Sequence, residues 1–250
     1  MPTPQGNPRR LLVALLLTAL VGALAGCLAG EAAAPEAGEE DVAPPRVLLV
    51  GDSLTFMGAT ALQAAFRERG IEPELHAIPG SGLLEAGPQV YDWMSVLTDL
   101  VDDLDPDLVV AEFAGNYGEP YATGADGRPV LPDGDAFLEA WAEATDEAIE
   151  RLGAGGARVA WVLAPPTRLG VPSLDARYAA VRRLYEERIA RRWPDVQLVD
   201  WAVPLTEDGA YAETLPGEDG RPVAVRDDDG LHLTEEGSRR VAEHTVEQVL

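Results

Sequence analysis

Lysine is absent from this chain, and cysteine occurs once, at Cys27, in 250 residues. A single cysteine excludes an intramolecular disulfide, so the fold must hold by its apolar core. Three scattered histidines and one cysteine give no zinc-ligand spacing. Asp227 and Asp228 lack the EF-hand pattern of a calcium loop. Positive charge is scarce, since 19 basic residues, all arginine, stand against 43 acidic ones for a formal net charge of −24. Such a surface argues against nucleic acid as a partner. It also disfavours polyanionic substrates unless positive charge is locally concentrated. Gly153 to Gly156 follows a helical stretch rather than a strand, so it lacks the context of a dinucleotide loop. These features call for no metal and no cofactor.

One long apolar run is present, and it lies at the start. Arg9-Arg10 precedes the continuous apolar stretch Leu11 to Ala25. This is the layout of an export signal, and the run is short for a bilayer-spanning anchor. Leu24-Ala25-Gly26-Cys27 resembles a bacterial lipobox, in which cleavage precedes the cysteine and its thiol is lipidated. The alternative is an ordinary cleaved signal with a chance cysteine. The lipobox resemblance implies residues 1–26 as a leader, Cys27 as the lipidation site and attachment to the outer face of the cytoplasmic membrane. More than one acyl chain there suffices for stable anchoring. Removing Arg9 and Arg10 with the leader takes the net charge from −24 to −26. Residues 27–45, rich in Ala, Glu, Gly and Pro without periodicity, read as a flexible acidic tether.

Residues 46–250 are long enough for one domain with a substantial core, expected to be monomeric. Apolar β-branched runs predict strands at 46–50, 72–77, 108–113, 158–163 and 196–201. Helical spacing predicts helices at 54–69, 90–104, 137–152, 174–192 and 234–249, with Gly70 closing the first and Thr234 capping the last. Strands alternating with helices predict an α/β fold, a three-layer α/β/α sandwich around a five-stranded parallel sheet. Sites in such sheets lie beyond the carboxyl ends of the strands. Ser53, Gly80, Asn116 and Pro165-Pro166 all fall at that edge. The long irregular loops 117–134 and 203–228 are candidate pocket walls, and Tyr117 and Tyr121 candidate lining residues.

The residues at that edge carry a recognisable chemistry. Gly51-Asp52-Ser53-Leu54 follows the first strand, and Asp229-Gly230-Leu231-His232 precedes the last helix. Serine, histidine and aspartate are what acyl transfer through a covalent intermediate requires. Ser53 also opens a helix, whose N-terminal N–H groups and dipole favour a negatively charged oxygen beside it. Backbone amides and the Asn116 side chain can serve the developing oxyanion. The order Ser…Asp…His is that of α/β-hydrolases, but their G-x-S-x-G elbow is missing.

In order and context these segments resemble the blocks of the SGNH (GDSL) esterase/lipase superfamily. Val50-Gly51-Asp52-Ser53-Leu54 is similar to the first block, Ile78-Pro79-Gly80 to the second, Gly115-Asn116 to the third and Asp229-Gly230-Leu231-His232 to the fifth. The resemblance covers residues 46–250 and implies a flavodoxin-like SGNH-hydrolase fold. It implies Ser53 as nucleophile, His232 as general base and Asp229 as its orienting partner. The oxyanion hole it implies comprises the Ser53 and Gly80 backbone N–H groups and the Asn116 amide, with Gly82 the substitute for Gly80. The expected activity is cleavage of an acyl ester of a carbohydrate or small lipid. Two alternatives use the same frame: O-acyl transfer to an exported glycan, and a catalytically silent lipid-anchored binding protein.

Overall fold

Five short apolar runs build the strands of this chain in a computed structural model, which describes residues 43–84 and 91–250. The leader, Cys27 and most of the tether lie outside the described residues, as does Val90 at the start of the predicted second helix. The strands are β1 (Val47–Gly51), β2 (Glu74–Ala77), β3 (Leu108–Glu112), β4 (Arg158–Leu163) and β5 (Gln197–Asp200). Between and after them run α1 (Ser53–Arg67), α2 (Trp93–Leu104), α3 (Gly134–Gly153), α4 (Pro172–Arg192) and α5 (Glu235–Val249). The sheet is five-stranded and parallel, in the order β2-β1-β3-β4-β5. β1 and β3 are buried along their whole length, as strands covered on both faces must be.

Alternation along each strand divides the core into two layers. Val47 and Leu49 of β1, Val110 of β3 and Val162 of β4 face α1 and α5. Leu48 and Val50, Val109 and Ala111, and Trp161 face α2, α3 and α4. The fold is thus the expected three-layer α/β/α sandwich. Four of the five tryptophans, Trp93, Trp141, Trp161 and Trp201, are fully enclosed in these layers.

Capping chemistry sets most helix boundaries. Asp52 caps α1 by accepting the Leu54 N–H, and Thr234 caps α5 by accepting the Gly237 N–H. α2 stops at Asp105, which takes a left-handed conformation ahead of Pro106. Three helices start earlier than their apolar spacing predicts, α1 by one residue at Ser53, α4 because Pro172 fits the first helical turn and α3 from Gly134.

The segment 203–228 is not wholly irregular. It contains a 3₁₀ turn at Val203–Leu205 and a small antiparallel hairpin, β6 (Thr214–Pro216) with β7 (Pro222–Ala224). Three-residue strands bounded by prolines leave too few positions for an alternation to be read. The loop 117–134 is likewise strapped down. The Tyr117 hydroxyl donates to the Val130 carbonyl at 2.7 Å and accepts from the Ala122 N–H at 3.0 Å. Tyr117 is therefore a core residue stacked between Tyr121 and Phe137, not an exposed lining residue.

Phe66 is fully buried near the end of α1, well away from Ser53 at its start. Phe66→Ala is expected to lower the unfolding free energy by about 3–5 kcal/mol through lost burial and a residual cavity. Denaturant titration checks this, and a loss below about 1 kcal/mol would contradict the packing described here.

Candidate active site

The strand order reverses at β1, with β2 on one side and β3 on the other, so the loops leaving β1 and β3 diverge and open a crevice at the carboxyl edge. Ser53 follows β1 and Asn116 follows β3, on the two sides of that crevice. Gly51 makes the turn into α1 possible. A Cβ there would collide with the Thr55 side chain and the Glu112 carbonyl. The next residue, Asp52, is completely buried and uses both carboxylate oxygens. Oδ1 accepts from the Leu54 N–H at 3.0 Å. Oδ2 accepts from the Ala114 N–H and from Asn116 Nδ2, each at 2.9 Å. One carboxylate therefore ties the first turn of α1 to the loop after β3.

Ser53 is the first residue of α1, where backbone N–H groups have no intrahelical partner. Among the described residues its N–H makes no hydrogen bond. Its hydroxyl meets His232 Nε2 at 2.9 Å, across 179 residues of sequence. His232 Nδ1 in turn lies 2.5 Å from Asp229 Oδ2. The other oxygen, Asp229 Oδ1, accepts the N–H groups of Leu231 and His232, both at 2.9 Å. Burial alone would raise the Asp229 carboxyl, but these bonds and the imidazole outweigh it and hold the group below its usual value. An ionised Asp229 fixes the proton of a neutral imidazole on Nδ1, which leaves Nε2 free to accept from Ser53.

The loop that carries Asp229 and His232 is clamped from beneath. Gly230 has a left-handed φ of 73°, and a Cβ on it would run into the Arg168 backbone. Its carbonyl accepts the Arg168 N–H at 2.9 Å. Leu231 and Leu233 are buried, which turns the side chain between them toward the crevice.

Asn116 is held at both ends of its amide. Nδ2 donates to Asp52, and Oδ1 accepts the Tyr178 hydroxyl at 2.9 Å. This pairing fixes which end is nitrogen and leaves one Nδ2 hydrogen for the crevice. Burial first, then the Asp52 charge, pushes the Tyr178 hydroxyl up to about 12, so it stays a donor. Gly80 and Gly82 occupy different surroundings. Gly80 is half-buried with φ 76° and open space where a Cβ would sit. Gly82 is buried, and a Cβ there would strike the Asn116 carbonyl and the Trp141 ring. Gly82 is thus a close-packing residue against Asn116, whereas nothing crowds the Cβ position of Gly80.

The structure accordingly brings Ser53, Asp229, His232 and Asn116 to one edge, with Gly80 on the loop after β2. Asp52, Glu112 and Tyr178 complete the surroundings; the motif contains Asp52 without giving it a role, and Glu112 and Tyr178 escape a reading based on motifs. Glu112 left one signal: it is a carboxylate inside the apolar run Leu108 to Phe113. Tyr178 left none, because its partner is 62 residues distant.

The architecture is the SGNH-hydrolase fold. Similar solved structures include a GDSL-like lipase of Bacteroides thetaiotaomicron, with TM-score 0.55 and 17% identity over 82% of this chain and 89% of that one. An acetyl xylan esterase gives TM-score 0.52 and 17% identity over 82% and 100%. The catalytic domain of a Streptococcus pneumoniae peptidoglycan O-acetyltransferase gives 0.51 and 15% over 82% and 92%. At such identities the likeness is one of fold. The chain belongs to the family described as "Protein of unknown function (DUF459)", which matches residues 46–248. Among curated proteins none matches.

Gly82→Ala should displace Asn116 without unfolding the sheet. Were Ser53 a nucleophile and Asn116 an oxyanion donor, the expected result would be a roughly 100-fold slower reaction with a fluorophosphonate. An unchanged labelling rate in a folded variant would show that Asn116 does not depend on this contact.

Proposed function

We propose that this chain is a serine esterase, cleaving a short acyl ester of a carbohydrate or small lipid through an acyl-serine intermediate. The observation that carries the reading is the unbroken line of hydrogen bonds from Ser53 Oγ through His232 to Asp229 at the start of a helix. In this reading Ser53 Oγ attacks the acyl carbonyl while Nε2 of His232 takes its proton. Asp229 stabilises the imidazolium that forms and keeps the ring oriented. The Ser53 N–H, the Gly80 N–H and the free Nδ2 hydrogen of Asn116 receive the oxyanion. His232 then returns the proton to the leaving alcohol, and water repeats the sequence to release the acid.

The short acyl group and the sugar ester draw support from the acetyl xylan esterase and the O-acetyltransferase domain that share the fold. The same residues would serve transfer to a glycan hydroxyl, with the acceptor alone distinguishing the two outcomes. The leader and Cys27 support a place at the outer face of the cytoplasmic membrane, with the tether holding the domain off the surface.

A panel of p-nitrophenyl and acetyl-sugar esters tests the chemistry. Parent protein should hydrolyse at least one, and Ser53→Ala should lower kcat by on the order of 10⁶. Consumption of ester only when a glycan acceptor is added would reassign the protein as a transferase. Neither turnover nor fluorophosphonate labelling would leave the binding-protein reading.

Location has a separate test. In bacteria expressing the full chain, Cys27→Ala should move the protein from the membrane fraction to the soluble exported fraction. Membrane retention of that variant would sink the anchor assignment.

A further inference from the structure

Glu112 ends β3 beside Gly51 and is 1% exposed, yet the chemistry just described has no use for it. Its Oε2 accepts from the Thr55 N–H at 3.2 Å and the Thr55 hydroxyl at 3.1 Å. Its Oε1 is buried and receives no donor. The side chains of Asp52 and Glu112 are within hydrogen-bonding reach of one another. Asp52 already accepts from three N–H groups, which marks it as the ionised member. Two ionised carboxylates in contact and shut away from water would repel each other, and Oε1 would still lack a partner. A proton on Oε1 removes both problems: it fills the orphan position with a donor and leaves one negative charge on the pair.

We propose that Glu112 is a positioning residue for this site, protonated on Oε1 and donating to Asp52. So held, Asp52 keeps Asn116 and the first turn of α1 in fixed relation. The consequence for turnover rests on the reading of Ser53 and Asn116 given above, whereas the proton itself does not. The neighbouring groups are compatible with it. Asp52 faces Glu112 from the β1–α1 turn, and Thr55 from α1. Tyr178 and Tyr185 approach from α4, both kept as neutral hydroxyls chiefly by burial. His232 lies beyond Asp52. Burial first, and then the Asp52 charge, raises the Glu112 carboxyl well above its ordinary value. One proton rather than none also matters chemically, because a second negative charge beneath the oxyanion hole would oppose the oxyanion.

Linkage gives a test that needs no activity. A carboxyl raised in the folded state stabilises fully below its unfolded value, and that contribution is lost as pH rises toward the folded value. The folded chain then binds one proton more than the unfolded chain. Denaturant titrations of the full chain and Glu112→Gln from about pH 5 to 8 should diverge. The parent should lose up to about tenfold in folding equilibrium constant per pH unit relative to the glutamine variant, until pH reaches the folded value.

Turnover of p-nitrophenyl acetate supplies the second arm. Glu112→Gln retains a donor toward Asp52 and should keep kcat close to the parent. Glu112→Leu offers none and should lose about 100-fold in kcat with little change in KM. Parallel pH–stability lines for parent and Glu112→Gln would overturn the proton. An equal loss of kcat in the glutamine and leucine variants would overturn the positioning role. If Glu112→Leu does not fold, the parent and Glu112→Gln still decide through the stability slope and the retained kcat. A parent without esterase activity would refute the proposed function and leave the stability arm standing.

Discussion

The Asp52 carboxylate is the interaction on which the site's geometry depends. It accepts from Leu54 in α1, from Ala114 after β3 and from the side chain of Asn116. Those bonds cross the crevice that the reversal of strand order creates between β1 and β3. Without them the two loops would diverge into solvent, and the helix start at Ser53 would have no fixed relation to Asn116. The bonds form in a fully buried place, where a lost partner is costly because water cannot replace it. Rigidity at the crevice thus comes from polar groups sealed beneath it.

The second half of the site reaches the crevice by a different route. Asp229 and His232 share one short loop, so their mutual geometry is local and set by two backbone N–H groups on Asp229 Oδ1. What must be positioned across long sequence distance is only the imidazole against Ser53. The packing of α1 against α5 on one sheet face supplies that, together with the docking of Gly230 on Arg168. A relay with one local joint and one long-range joint leaves fewer independent placements for the fold to satisfy.

Much of this was legible in the sequence, for identifiable reasons. All five main strands and all five helices follow from apolar periodicity and capping residues. The elements they connect, Ser53 at one end and His232 at the other, follow from chemistry-bearing residues at predicted strand or helix ends. What stayed hidden was pairing between side chains remote in sequence. Tyr178 on Asn116 and Glu112 against Asp52 depend on register and burial, which no local pattern encodes. The hairpin at 214–224 was hidden because its strands are three residues long. Tyr117, beside Asn116 in sequence, turned inward because its hydroxyl finds Val130 and Ala122 within its own loop. Proximity in sequence was a poor guide there. Spacing alone also could not show that Gly80 and Gly82 differ so much in surroundings, Gly80 with open space at its Cβ position and Gly82 packed on Asn116 and Trp141.

The central claim is that Ser53 accepts the acyl group. Acid quenching of the protein during turnover of an acetyl ester, followed by peptide mapping by mass spectrometry, measures this directly. The account predicts one added acetyl group on the peptide containing Ser53, absent when the ester is omitted. Steady hydrolysis with no acetyl on that peptide, or with acetyl on a different residue, would contradict it.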